Sequence, residues 1–132
     1  MAITMRDLDD REVRLPGGRP GVVVFAGARG CASCVAAVRT AGDAVRQAGV
    51  SAQVIVVMAD SGTARKDVGA FARAVGRSRA RYVVDDRNSG LASMLDAPGL
   101  GRAVVYDARG RIVARPDSGV RRLASALRSA RR

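Results

Sequence analysis

The chain has 132 residues, a length typical of one domain that builds its own hydrophobic core. Its formal net charge of +11 comes from arginine, since Lys66 is the only lysine. No histidine is present, which excludes a Ser-His-Asp triad, a Cys-His pair and most zinc or haem sites. The chain has few aromatic side chains on which nucleic-acid bases could stack: two Phe, two Tyr and no Trp. We therefore expect a solvated basic surface and no nucleic-acid partner.

No apolar run is long enough to span a bilayer, and no signal peptide is visible near the N-terminus. We expect a monomer that is cytoplasmic as written, or one tethered to a membrane outside the cytoplasm if an N-terminal anchor has been removed. We treat residues 1–132 as a single domain, with a hairpin extension over 1–20 and a core over 21–132.

Residues 2–15 predict a short β-hairpin with Asp9 and Asp10 at its turn, followed by Pro- and Gly-rich punctuation at 16–21. Continuous β-branched runs then predict strands that are covered on both faces. These runs lie at 22–25, 54–58, 82–84 and 104–106.

Apolar residues at helical spacing predict three amphipathic helices between and after these strands. The second helix is expected to begin at a Ser61 or Thr63 cap and to end near Gly76. The predicted inward-facing residues are Cys34, Val35, Val38, Val45 and Ala48 in the first helix, Ala64, Val68, Phe71 and Val75 in the second, and Val120, Leu123, Ala124 and Leu127 in the last.

A short helix is expected near residues 90–95, and residues 107–110 predict a type I turn that joins the last two strands. The predicted order is β-α-β-α-β, the short helix, then β-β-α. This order predicts an α/β fold in which helices sandwich a mixed sheet with a parallel centre.

The two cysteines lie in the segment Gly30-Cys31-Ala32-Ser33-Cys34, between the first core strand and the first long helix. Free amides and the macrodipole at a helix N-terminus favour an anion, so this position stabilises a Cys31 thiolate, and Arg29 adds positive charge. Cys34 lies within reach for a disulfide. The pattern predicts dithiol–disulfide exchange, with Cys31 as the exposed nucleophile and Cys34 as the resolving thiol.

The same two cysteines have a second interpretation, as a buried pair or a disulfide without redox function. Closing a four-residue loop gains little entropy, which disfavours a purely structural disulfide. The position after a Val-rich strand and before an amphipathic helix favours redox chemistry.

Three segments, taken in order, match the pattern of a known family. Residues 7–15 are similar to a DLDGxxVxL opening, residues 21–34 to a strand followed by CxxC, and residues 104–113 to a late FLIDxxGxIV hairpin. Together they resemble the thioredoxin superfamily, and within it the TlpA- or ResA-type thiol–disulfide oxidoreductases and related peroxiredoxin-like proteins. The resemblance implies a thioredoxin-like fold, no metal or cofactor, and protein dithiols or disulfides or a membrane redox protein as partners.

The sequence departs from that family beside the cysteines. Members carry an aromatic residue before the first cysteine and often a proline between the two, where this chain has Gly30, Ala32 and Ser33. The family's cis-proline, which faces the CxxC, is replaced by Gly101 or Arg102, with Pro98 slightly earlier. The residues expected to contribute are Gly30, Gly101 and Arg102 in substrate binding and Arg29, Ala32 and Ser33 in tuning the Cys31 pKa. Ser33 either bonds a thiolate or serves as a solvated helix cap.

Three rival functions are weighed against this prediction. A peroxidase is disfavoured because peroxiredoxins place Thr or Ser three residues before the reactive cysteine, where Ala28 stands. A Cu(I)-binding or metallochaperone module stays open because two thiolates hold Cu(I) linearly. A non-catalytic thioredoxin-fold protein with vestigial cysteines is the third.

Met58 is expected to pack in the core rather than to bind a ligand. The residues Asp85 and Asp86 are expected to form a turn.

Overall fold

The computed structural model describes residues 3–15, 17–27, 33–58, 65–76, 80–84, 102–114 and 119–130. The order of its strands and helices matches the predicted order. The helix expected near 90–95, the Ser61 or Thr63 cap and the Asp85-Asp86 turn lie outside the described residues. The elements are β1 (Ile3–Arg6), β2 (Glu12–Leu15), β3 (Gly21–Ala26), α1 (Cys34–Ala48), β4 (Gln53–Met58), α2 (Arg65–Val75), β5 (Arg81–Val84), β6 (Arg102–Tyr106), β7 (Ile112–Ala114) and α3 (Val120–Ala130).

A five-stranded sheet has the order β5-β4-β3-β6-β7. Strands β3, β4 and β5 are parallel to one another, whereas β6 is antiparallel to β3 and β7 is antiparallel to β6. Every residue of β3 and β4 is buried, as their unbroken β-branched sequences predict for strands covered on both faces. The predicted mixed sheet with a parallel centre is confirmed.

The two faces of the sheet have different covers. Val22 and Val24 of β3 pack in one cluster with buried side chains of all three described helices. Val23 and Phe25, which point to the other side, pack in a second cluster with Val13 of β2 and its neighbours. We call these the helical face and the hairpin face. The predicted N-terminal hairpin is therefore confirmed, and it supplies part of the core.

Polar contacts hold the hairpin against the sheet. Gln53 Nε2, at the start of β4, donates to Arg14 O and to Tyr106 Oη, both at 3.2 Å. Arg81, at the start of β5, donates through Nε to Asp7 Oδ2 at 3.0 Å and through Nη2 to Glu12 O at 2.9 Å. The hairpin is thus bonded to two core strands as well as packed on them.

The two hairpin turns share one hydrogen-bond pattern. Asp7 Oδ1 accepts from the N–H groups of Asp9 and Arg11, both at 2.9 Å, and the Asp10 N–H donates to Asp7 O at 3.1 Å. The residues 107–110 repeat this arrangement, with Asp107 as acceptor and Gly110 at the position of Asp10. The predicted turn at 107–110 is confirmed.

The helices are joined to one another by arginine side chains. Arg39 of α1 donates through Nη2 to Ala74 O at 2.8 Å and through Nε to Val75 O at 3.1 Å, so it caps the end of α2. In α3, Leu123, Ala124 and Leu127 are buried, as predicted.

Gly21 is required where β3 passes the ring of Tyr106. A Cβ at Gly21 would lie 2.7 Å from Tyr106 Cζ and 2.7 Å from Gln53 O, and closer still to Tyr106 Oη. We expect Gly21→Ala to lower the free energy of unfolding by roughly 1–3 kcal/mol, because the buried ring and the β4 backbone must move. Gly42→Ala is the matched control, since a Cβ there meets only Arg46 Nη1 at 4.0 Å, and we expect it to stabilise α1 by about 0.5–1 kcal/mol. Urea titration measures both, and equal effects would contradict the prediction.

Asp7 predicts acid sensitivity. Burial raises the pKa of this carboxyl. Hydrogen bonds from Arg11 N–H, the Arg81 side chain and Asp9 N–H lower the pKa by more than burial raises it, so the net pKa is below the normal value for Asp. Ionised Asp7 therefore stabilises the fold above the unfolded-state pKa of about 4, and this contribution is lost as the pH falls through the lower folded-state pKa. We expect Asp7→Asn to flatten the fall in unfolding free energy between about pH 5 and pH 3. The exposed Asp9, changed to Asn, is the control, and an equal flattening there would contradict the assignment.

Candidate functional site

The carboxyl ends of the three parallel strands meet at one edge of the sheet. Their last residues are paired in register, Ala26 with Met58 and Met58 with Val84. The helix α1 returns from the end of β3 to the start of β4, so its first residue, Cys34, lies at this edge. We call it the Cys34 edge.

Cys34 is fully buried and packs on the helical face with Val38 and its neighbours. It is disulfide-bonded, and no described cysteine is a free thiol. The sequence predicted that this side chain faces the covering structure, and its burial agrees. Burial suits a sulfur that reacts within the protein rather than with bulk solvent.

The start of α1 is electrostatically suited to an anion. Ser33 occupies the N-cap position, its side chain makes no capping hydrogen bond, and its carbonyl accepts from Ala37 N–H at 3.0 Å. The first turn of α1 contains no acidic residue. No first-turn carboxylate therefore offsets the positive end of the helix macrodipole.

The strand directions bring a second helix N-terminus toward the same edge, since α2 follows β4, which ends there. Helix α3 follows β7, which runs toward this edge but ends at Ala114, opposite Val105. The first turn of α3 has no acidic residue, whereas α2 has Asp67.

Arg102 begins β6 and pairs with Phe25 near the end of β3. Its backbone is part of the sheet because the β3 ladder continues to that position, and this places the start of β6 at the Cys34 edge. The other predicted site residues lie outside the described residues: Arg29, Gly30, Cys31, Ala32 and Gly101, together with Pro98.

Met58 ends β4 beside Ala26 and is fully buried within the helical-face cluster. This environment supports the expected packing role. In the described ranges, no group of three or more acidic or cysteine side chains is arranged to hold a metal ion. None of the described helices is long and apolar enough to cross a membrane.

The sequence matches no protein-family model and no curated protein. Its structure is similar to several solved ones. DsbF of MTB superposes with a TM-score of 0.78 at 14% identity, over 97% of this chain and 94% of that one. The pneumococcal exposed lipoprotein thioredoxin Etrx1 of Streptococcus pneumoniae gives 0.76 at 17% identity, over 98% and 99%.

A third structure, BsSco, is described as a member of the Sco family of cytochrome c oxidase assembly proteins with a disulfide switch. It gives a TM-score of 0.76 at 13% identity, over 98% of this chain and 91% of that one. These similarities extend over nearly the full length of each protein. The chain has the thioredoxin fold, as the resemblance implied.

The packing role of Met58 is open to a direct test. We expect Met58→Leu to change the free energy of unfolding by less than about 1.5 kcal/mol, because the volume is conserved. Met58→Ala should cost roughly 2–5 kcal/mol, since it leaves a cavity where β4 meets the helices. Thermal unfolding measures both, and a loss with Leu as large as that with Ala would indicate a specific function of the thioether.

Proposed function

We propose that this protein is a thiol–disulfide oxidoreductase in which Cys31 attacks and Cys34 resolves. The observation that carries the proposal is the state of Cys34: disulfide-bonded, buried and first in a helix that begins at the carboxyl end of a central strand. The chain has one other cysteine, Cys31, three residues earlier, and we assign it as the partner.

In the reducing direction the Cys31 thiolate attacks one sulfur of a substrate disulfide. A mixed disulfide forms, and the second substrate sulfur leaves as a thiolate and takes up a proton. Cys34, deprotonated, then attacks Cys31 Sγ and displaces the first substrate sulfur. The substrate gains two electrons and two protons, and the Cys31–Cys34 disulfide is left for an external dithiol to reduce. The oxidising direction is the reverse.

The surroundings of the pair support this chemistry. Cys31 precedes the first residue of α1 by three positions in the sequence, so we expect the positive end of the α1 dipole to stabilise its thiolate, and Arg29 adds a cation two positions before it. A buried Cys34 meets only the sulfur brought to it by Cys31, so the mixed disulfide is resolved within the protein. We assign Ala32 and Ser33 to tuning the Cys31 pKa, with Ser33 at the N-cap.

Substrate binding is assigned to the segments that flank the pair. Gly30 precedes Cys31 in the sequence and has no side chain where the resembling family has an aromatic one. Gly101 precedes β6 in the sequence, and Arg102 is the first residue of β6, at the Cys34 edge. An extended substrate can align its backbone with such a strand end. Protein disulfides are therefore the expected substrates.

Cu(I) binding by the same two cysteines is the second candidate. The structural similarity to BsSco, a cytochrome c oxidase assembly protein with a disulfide switch, favours Cu(I) binding as this alternative. Two thiolates suffice for linear Cu(I) coordination. Titration of the reduced protein with Cu(I) against a strong chelator separates the two functions, because tight one-to-one binding without disulfide exchange would favour the metal.

The division of labour between the cysteines is tested by two variants. We expect Cys31→Ser to reduce turnover of a disulfide-bonded peptide to the uncatalysed rate, because the attacking sulfur is absent. Cys34→Ala should also lose turnover, yet accumulate a stoichiometric mixed disulfide with the peptide. Mass spectrometry under non-reducing conditions measures the adduct. Alanine is used at position 34 because the site is buried and apolar.

Two outcomes would contradict the proposal. An adduct that forms with Cys31→Ser but not with Cys34→Ala would reverse the roles. A wild-type protein that is folded and reduced but has no exchange activity would favour a non-catalytic member of the fold.

A further inference from the structure

Exposed arginines cluster at the end of the molecule opposite to the Cys34 edge, around the turn that joins α1 to β4. Arg19 Nη1 donates to Ser51 Oγ at 3.2 Å, and Arg128 Nη1 donates to Gln47 O at 3.5 Å. Arg46 lies in the last turn of α1. We call Arg19, Arg46 and Arg128 the distal arginine cluster. All three side chains are exposed.

The distal arginine cluster has little acidic compensation. In the described residues 17–20, 41–53 and 119–130 the only acidic residue is Asp43, which forms an ion pair with Arg46. Two more arginines, Arg131 and Arg132, follow α3 in the sequence. Elsewhere, two arginines of the hairpins form ion pairs with nearby carboxylates, Arg14 with Glu12 and Arg111 with Asp107. The distal end therefore carries a local excess of positive charge.

The cluster and the cysteine lie at opposite ends of one helix. α1 has 15 residues between Cys34 and Ala48, and a rise of 1.5 Å per residue separates its ends by about 20 Å. A flat partner that contacts the distal arginine cluster therefore leaves the Cys34 edge facing away from it.

The described surface offers few aromatic or apolar side chains that could bind a partner. All four aromatic residues of the chain are buried: Phe25, Phe71, Tyr82 and Tyr106. They offer no face for base stacking, which disfavours single-stranded nucleic acid. Val113 on β7 is the only large hydrophobic residue exposed among the described residues, so deep insertion into a bilayer is also disfavoured. Attraction between guanidinium groups and surface phosphates remains.

We propose that the distal arginine cluster binds the surface of an anionic lipid bilayer and turns the Cys34 edge toward water. A bilayer fits better than duplex DNA because the cluster is compact, whereas strong DNA binding requires contacts to about 6–10 phosphates along a groove. Each arginine close to an anionic membrane contributes roughly fivefold to partitioning. Binding is therefore expected to be reversible and to weaken with salt.

The test is co-sedimentation of the full chain with vesicles of phosphatidylcholine containing about one third phosphatidylglycerol, compared with phosphatidylcholine alone. We expect binding to the anionic vesicles at low salt and release at high salt. The variant Arg19→Gln/Arg128→Gln should weaken binding by about 25-fold, since two contacts are lost. The matched control, Lys66→Gln/Arg121→Gln, removes the same charge from exposed positions in the first turns of α2 and α3, outside the distal arginine cluster, and should weaken it much less.

Several results would overturn the proposal. Equal losses in the two double variants would mean that net charge alone drives association. An absence of binding at low salt, or binding to neutral vesicles, would exclude an anionic surface as the ligand. Duplex DNA bound through Arg19 and Arg128 at salt concentrations that release the vesicles would assign the cluster to nucleic acid.

The orientation of the bound protein, with the Cys34 edge facing water, can be measured separately from its redox activity. With the protein reduced and bound to vesicles, we expect a water-soluble maleimide to label the cysteines at the rate found in solution. Protection of the cysteines by vesicles would contradict the orientation. Vesicle binding itself requires no thiol chemistry, so its failure and the failure of the proposed oxidoreductase function remain distinguishable.

Discussion

The burial of β3 and β4 on both faces is the constraint from which the rest of the structure follows. Every residue of these two strands is buried, so each face of the sheet needs an apolar cover. The helices cover one face, and the N-terminal hairpin packs on the other. Because β3 and β4 are parallel, the chain must return from the end of β3 to the start of β4. Helix α1 makes this return, so it begins beside the end of β3. The position of Cys34 is a consequence of this connection.

The sequence predicted the elements that depend on local pattern. The β-branched runs gave the central strands, and the helical stripes gave α1, α2 and α3 with the correct inward faces. The turn at Asp107 could be predicted because Asp107 and Gly110 are the first and last of its four residues. Cys34 could be placed at a helix start because a strand precedes it and an amphipathic stripe follows.

The contacts that the sequence did not predict join residues far apart in the chain. Arg81 and Asp7 are 74 positions apart, and Gln53 and Tyr106 are 53 apart. A chain rich in arginine offers many partners for each carboxylate, so composition cannot select one. The register of the sheet makes the selection, since it brings the start of β5 beside the hairpin turn. The surplus charge at the distal end is likewise a property of the folded molecule.

The hairpin face has a consequence for fragments of this protein. Val13 and Leu15 are buried against Val23, Phe25 and residues of β4. A polypeptide that started at Gly21 would retain β3 to β7 and the three helices but would expose the apolar side chains of the hairpin face to water. Such surfaces promote self-association. We therefore expect fragments that omit the first twenty residues to aggregate when they are expressed.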